Sequence, residues 1–334
     1  MTLDADMARV LEEQRARSPR ADEQTTDMQG LLAQLRRQHE EGVQWMTPPA
    51  VRDRVSDVED IGLEDEEGAR VASRIYRPDA YGQGTLVWLH GGGWMTGSLE
   101  TADVVARALC ARAGLVVVSV DYRLAPEHPW PAAVDDARNA VNWVAKKVRS
   151  RELPGPVLVG GDSAGGNIAA VIALEPDLKD VLGGQVLVYP AVRLDAEPPG
   201  LPSRAEYKEG FGLEPNALEI AVQAYAPRAQ DRTDPRVSPG LSTELAAAPP
   251  TIVVTAGCDP LRDEGNGYAD ALRAAGVPVQ LIELPGLIHG CLDMTGQSSV
   301  ADRAASEVAA ALNKLVREYA SPVDAPMRSR RSAP

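Results

Sequence analysis

Six apolar runs of strand length recur along this chain, at Thr85–Leu89, Leu115–Val120, Pro156–Val159, Gln185–Tyr189, Thr251–Thr255 and Val279–Leu284. They are continuous rather than alternating, which is the pattern of strands covered on both faces. Helical patterns fall between most of them and after the last, near residues 99–113, 131–149, 165–174, 262–275 and 299–319. Strands alternating with helices predict an α/β fold, with a mostly parallel central sheet, helices on both faces and right-handed crossovers. In open sheets of this kind ligands bind beyond the carboxyl ends of the strands. The residues directly after each run are therefore where chemistry is to be sought.

Two regions interrupt the rhythm. Before the first run lie two amphipathic helices, one with Leu3, Met7, Val10 and Leu11 on a face, the other with Met28, Leu31, Leu32 and Leu35. Their remaining faces carry charges of both signs, which fits docking or a lid rather than a membrane. Residues 51–78 then read as two extended segments. The second interruption, from Pro190 to Thr251, is rich in Pro, Glu and Arg with one helical stretch near Glu214–Tyr225. A connection of that length signals function. It reads as an insertion above the sheet that meets the N-terminal helices.

Charge narrows the partners. A formal net charge of −14 argues against nucleic acid or an anionic membrane as a binding surface. No apolar run approaches the ~20 residues of a membrane span. The opening Met1-Thr-Leu-Asp-Ala-Asp lacks the basic start and apolar centre of a signal peptide, so a cytoplasmic location is expected. Cys110, Cys258 and Cys291 match no zinc pattern and read as buried thiols, a regulatory Cys258–Cys291 disulfide being the alternative.

The run Pro156–Val159 leads into Gly160-Gly-Asp-Ser-Ala-Gly-Gly166. Gly161-Asp-Ser-Ala-Gly165 fits G-x-S-x-G between a strand and a helix, where a serine is held in a strained turn and small neighbours let the two elements approach. The bland alternative is a glycine-rich turn with Ser163 as helix cap. A second glycine device weighs against it: His90-Gly-Gly-Gly-Trp94 directly follows Thr85–Leu89. Such a loop frees backbone N–H groups to converge on one oxygen, together with the N–H of Ala164.

A nucleophilic serine needs a base and an acid that orients it. Of the four histidines, His39 lies on the polar side of a helix and reads as solvated. His90 begins and anchors the glycine loop, and His128 sits in a proline-rich turn before the serine. His289, after the last strand, is the one that is both downstream and at a strand end. For the acid, Asp259 follows the Thr251 strand. Asp263 and Glu264 fall in the first turn of the next helix, where the dipole alone accounts for them. Asp259 is the choice and Asp263 the second.

These segments resemble the hormone-sensitive lipase family of α/β-hydrolases, in particular its bacterial esterases. The matching motifs are His90-Gly-Gly-Gly-Trp94, Asp121-Tyr-Arg-Leu-Ala-Pro-Glu127, Gly161-Asp-Ser-Ala-Gly-Gly166, Asp259-Pro-Leu-Arg-Asp-Glu264 and His289-Gly290, in family order. The resemblance implies Ser163 as nucleophile, His289 as base and Asp259 as acid, with Gly92, Gly93 and Ala164 donating to the oxyanion. It implies a small ester with a short to medium acyl chain as substrate, and neither cofactor nor metal. It also implies cap helices at 1–50 and a hydrolase domain at 51–319 with a cap insertion at 190–235; the tail at 320–334, whose end from Met327 to Pro334 carries three Arg and no apolar pattern, is expected to be disordered. Cys291 stands where the family commonly has an aromatic and Trp130 where Phe is frequent, which would bear on acyl-chain preference. A cyclase, dehydratase or amidase on the same scaffold is the alternative reaction. A non-catalytic binding module is the alternative class, although such modules typically lack the histidine. An unpaired edge at Val279–Leu284 would allow a homodimer, which a monomeric mass by light scattering would contradict.

Overall fold

The computed structural model describes residues 2–17, 28–64, 70–80, 82–195 and 200–319. Among these, eight strands form one sheet: β1 (Asp57–Glu64), β2 (Arg70–Arg77), β3 (Thr85–Leu89), β4 (Val116–Val120), β5 (Val157–Asp162), β6 (Leu182–Val188), β7 (Thr251–Cys258) and β8 (Val279–Ile288). Their spatial order is β1-β2-β4-β3-β5-β6-β7-β8. β2 is antiparallel to both neighbours, and β4, β3 and β5 through β8 run parallel. β3, β4, β5 and β7 are buried at every position, as continuous apolar strands require. β1 is an edge strand carrying Asp57, Glu59, Asp60 and Glu64, charges that discourage further pairing.

The helices are α1 (Ala5–Arg17), α2 (Met28–Met46), α3 (Leu99–Ala113), α4 (Ala132–Arg149), α5 (Ala164–Ile172), α6 (Ser203–Glu206), α7 (Pro215–Tyr225), α8 (Arg262–Ala274) and α9 (Ser299–Tyr319). Each sheet face has its own core. On one, Val141 of α4, Ile168 of α5 and Leu272 of α8 join Val87 and Val159. On the other, Leu109 of α3 and Leu312 of α9 join Trp88, Val186 and, from the N-terminal helices, Met7 and Val43. Local signals set the ends of α3: Ser98 and Thr101 form a capping box, and Gly114 closes the helix in the left-handed conformation at φ 67°.

The N-terminal helices dock as expected, but through a different face of α2. Leu32, Val43 and Met46 are buried, whereas Leu31 and Leu35 are 44% and 39% exposed. The inward stripe is thus Leu32, Arg36, His39, Val43 and Met46, at alternating spacings of four and three with two polar members. Behind α2, Asp103 of α3 accepts Tyr76 Oη at 2.9 Å, Arg52 Nη1 at 2.8 Å and Arg107 Nε at 2.8 Å. Several donors are what a buried carboxylate needs. The insertion after β6 meets α1, where Arg15 Nη2 donates to the Gly210 carbonyl at 2.9 Å.

β8 runs further than its apolar stretch, through Pro285-Gly286 to Ile288, with an irregular step in its pairing between Ala256 and Cys258. It forms the other sheet edge. The chain's own start covers part of that edge, because the Asp4 N–H donates to the Gly286 carbonyl at 2.9 Å. The tail at 320–334 lies outside the described residues. Among those described, no helix is long and apolar enough to cross a membrane.

Candidate active site

β5 ends at Asp162 and α5 begins at Ala164, leaving Ser163 alone at the turn with φ 53° and ψ −115°. A left-handed φ on a residue with a side chain is strained and has to be held from outside. The Ser163 N–H donates to Val188 O at 2.9 Å, and its carbonyl accepts the N–H groups of Asn167 at 3.0 Å and Ala191 at 3.3 Å. The flanking glycines answer to close approach. A Cβ on Gly165 would stand 1.9 Å from Leu89 O, and one on Gly161 2.4 Å from the same atom. α5 crosses the end of β3 nearer than any side chain permits.

The turn aims the hydroxyl at the ends of β7 and β8. Ser163 Oγ lies 2.8 Å from His289 Nε2, and His289 Nδ1 lies 2.8 Å from Asp259 Oδ2. Asp259 is fully buried, and its other oxygen accepts the Leu261 N–H at 2.8 Å. Burial works against charge on His289, but the Asp259 carboxylate, with Asp162 and Glu264 further off, outweighs it and raises the pKa above the ordinary imidazole value.

The rival acids do other work. Asp263 accepts the Ser203 N–H at 2.7 Å, and Glu264 accepts Val192 N–H at 2.8 Å and Arg204 Nη2 at 2.6 Å. Both tie the insertion to α8. His128 is exposed. His90 is buried, stacks on Tyr122 with ring centroids 4.3 Å apart, and anchors the glycine loop as expected. His39 corrects the reading of it as solvated: Nδ1 lies 2.9 Å from Thr96 Oγ1, and burial pushes its pKa down to about 4.

The glycine loop lies beside the serine. Gly92 and Gly93 have φ values of 116° and 60°. Asp162 was not singled out by sequence, yet its Oδ1 accepts the Gly91 N–H at 3.0 Å, and burial pushes its pKa up to about 6. Its position beside the serine was the available signal. Loop, serine and histidine open into a chamber of about 900 Å³ that His39 and Trp45 of α2 and Leu218, Ile220 and Ala221 of α7 also line. Cys291 and Trp130, expected to bear on acyl preference, are absent from the chamber wall. Cys291 packs in the core, and Trp130 sits under Arg236, whose guanidinium lies 5.2 Å from the ring. All three cysteines are buried, and burial raises the pKa of each thiol.

Serine, aspartate and histidine in that chain order, on strand ends of a mostly parallel sheet, make the protein an α/β-hydrolase. The family Abhydrolase_3, described by its alpha/beta hydrolase fold, matches residues 86–293. The carboxylic ester hydrolase LipN of Mycobacterium tuberculosis is 42% identical over 71% of this chain and 65% of its own length. Ethyl acetate hydrolase of Pseudomonas putida is 34% identical over 94% of this chain and 99% of its own. Among solved structures, the hyperthermophilic esterase of the archaeon Pyrobaculum calidifontis superposes with a TM-score of 0.84 at 36% identity, over 94% of this chain and 99% of that one. The chain belongs to the hormone-sensitive lipase-like family of α/β-hydrolases, enzymes of carboxylic ester hydrolysis.

Proposed function

We propose that the protein is a serine carboxylesterase acting on short- to medium-chain acyl esters of small molecules through Ser163, His289 and Asp259. The observation that carries this reading is the unbroken hydrogen-bonded line from Asp259 Oδ2 through His289 to Ser163 Oγ, 2.8 Å at each step. His289 Nε2 takes the Oγ proton as the oxygen attacks the ester carbonyl carbon. The N–H groups of Gly92, Gly93 and Ala164 receive the oxyanion. Collapse expels the alcohol, protonated by His289, and leaves the acyl group on Ser163. Water repeats the sequence and releases the carboxylic acid. Asp259 holds Nδ1–H and stabilises the imidazolium. In this scheme α1, α2 and the insertion act as a cap, and a second subunit pairs along the uncovered half of β8.

The relative named for ethyl acetate hydrolysis supports a small acyl group. So does the chamber, whose mouth carries the exposed apolar side chains Leu35 and Ile220 and whose wall carries Leu213 and Leu218. Hydrolysis of p-nitrophenyl esters from acetyl to dodecanoyl is expected to peak in the short to medium range and fall toward dodecanoyl. A maximum at dodecanoyl, or no turnover by folded protein at any length, would overturn the reading.

The raised His289 pKa fixes a pH dependence. The base must be neutral, so the acid limb of kcat/KM is expected above the usual imidazole value of about 6.5. Asp259→Asn removes the negative charge and should move that limb to lower pH, besides lowering the rate. Stability runs the other way. A histidine with a raised folded pKa adds stability that is complete below about pH 6.5 and is lost as pH rises through the folded value. A limb at or below the usual value, unmoved by Asp259→Asn, would contradict this assignment.

A further inference from the structure

The glycines that supply the oxyanion donors have no steric preference for the conformation they adopt. Something else has to hold them, and the contacts lead to α2. Gly92 O accepts three donors: Met95 N–H at 3.2 Å, Thr96 N–H at 3.0 Å and Thr96 Oγ1 at 3.0 Å. In a trans peptide the carbonyl and the following N–H point opposite ways, so fixing Gly92 O fixes the direction of the Gly93 N–H.

Thr96 is itself held. A carbonyl only accepts, so the single hydroxyl proton of Thr96 is committed to Gly92 O. The 2.9 Å contact with His39 must then be Nδ1–H donating to Thr96 Oγ1. One helical turn earlier, Arg36 Nε donates to Met95 O at 2.9 Å, while its two terminal nitrogens hold Glu127 at 2.8 Å each. The far end of α2 is pinned beyond His289, where Thr47 Oγ1 donates to Asp293 O at 2.7 Å and accepts the Gly296 N–H at 2.9 Å. The two polar members of the inward α2 stripe thus grip consecutive residues of the oxyanion loop.

We propose that Thr96 and His39 are positioning residues for ester hydrolysis: α2, seated over the chamber, orients the Gly92–Gly93 peptide through the chain His39 Nδ1–H to Thr96 Oγ–H to Gly92 O. The proposal rests on the acyl-transfer reading above. Without the chain Gly92 O keeps only the Met95 and Thr96 N–H groups, the peptide is held less tightly, and the Gly93 donor is misaligned in the transition state while the substrate pocket stays intact.

The test uses the full chain, p-nitrophenyl acetate, four single variants and one double variant. Thr96→Val and His39→Leu break the chain, whereas Thr96→Ser and His39→Asn keep a hydroxyl and a donor in place. Breaking it is expected to lower kcat by about tenfold to a hundredfold with KM within about threefold, since a displaced oxyanion donor acts on the transition state. Thr96→Ser and His39→Asn should recover most of that loss. The Thr96→Val/His39→Leu double variant should be no slower than the slower single, because both act through one carbonyl. Thermal midpoints measured alongside separate lost positioning from lost folding, and if Thr96→Val does not fold, the His39 pair decides. An active wild type whose folded Thr96→Val and His39→Leu variants keep kcat, lose only KM, or multiply their losses would overturn the proposal alone. A folded wild type without turnover would overturn the acyl-transfer reading, and the proposal with it.

Discussion

Ser163→Ala is expected to lower kcat for ester hydrolysis by about 10⁴–10⁶, and His289→Ala by a similar factor. In the proposed mechanism the serine oxygen accepts the acyl group, and it lies 2.8 Å from His289 Nε2. Ser163→Ala removes no core contact, whereas His289→Ala removes the ring contact with buried Tyr189 at 4.8 Å and leaves the fully buried Asp259 carboxylate without its imidazole partner. The thermal midpoint should therefore stay near that of the wild type for Ser163→Ala and fall for His289→Ala. The double variant should be little worse than either single one, since a nucleophile without its base and a base without its nucleophile are disabled alike. Steady-state rates corrected for spontaneous hydrolysis decide this. A Ser163→Ala variant within tenfold of wild type would remove the serine from the mechanism.

Gly165→Ala is the larger structural prediction. The added methyl would sit 1.9 Å from Leu89 O and 2.6 Å from His90 O, both backbone atoms that no rotamer change can move. Ordinary C···O approach is about 3.3 Å, so the start of α5 or the end of β3 must shift by more than about 1 Å. Overpacking of this kind costs about 1–3 kcal/mol or more. The shift also carries Ser163 with it, and a displacement of about 1 Å in a reacting group can cost about 10² in rate. We expect a lowered thermal midpoint together with at least that loss of kcat. Gly267→Ala is the control: it lies in α8 with nothing within 4 Å of the added carbon. There the substitution should stabilise by about 0.5–1 kcal/mol, because glycine is the poorer helix residue. Equal behaviour of the two variants would contradict the close-packing account of the elbow.

The parts of this molecule that were legible in sequence are those whose geometry is enforced locally. Continuous apolar runs have to be interior strands, and a serine flanked by glycines between a strand and a helix has few conformations open to it. Chain order and strand ends pointed to Ser163, His289 and Asp259, with Asp263 as the second choice of acid. What was hidden depends on packing between distant segments. β8 passes through Pro285-Gly286, beyond the apolar run that ends at Leu284, because at a sheet edge a missing N–H need not leave a partner unpaired. The apolar residues of α2 suggested a stripe at Met28, Leu31, Leu32 and Leu35, yet the docked stripe contains Arg36 and His39, whose partners come from a loop some sixty residues away. Periodicity counts hydrophobic residues and cannot see a polar side chain that is buried because its partner waits on another element. The same blindness applies to Asp162, whose carboxylate holds Gly91, and to the chamber wall, where Cys291 and Trp130 face elsewhere.

Whether Ser163 is the acyl-accepting nucleophile of an esterase is decided by its reaction with diethyl p-nitrophenyl phosphate. Attack by Oγ on phosphorus expels p-nitrophenolate and leaves a stable phosphoryl adduct, which intact-mass measurement and peptide mapping both detect. One adduct per chain is expected, on Ser163, with esterase activity lost in proportion and no adduct on Ser163→Ala. Inhibition with the adduct on another residue, or ester turnover by a protein whose Ser163 stays unlabelled, would contradict it.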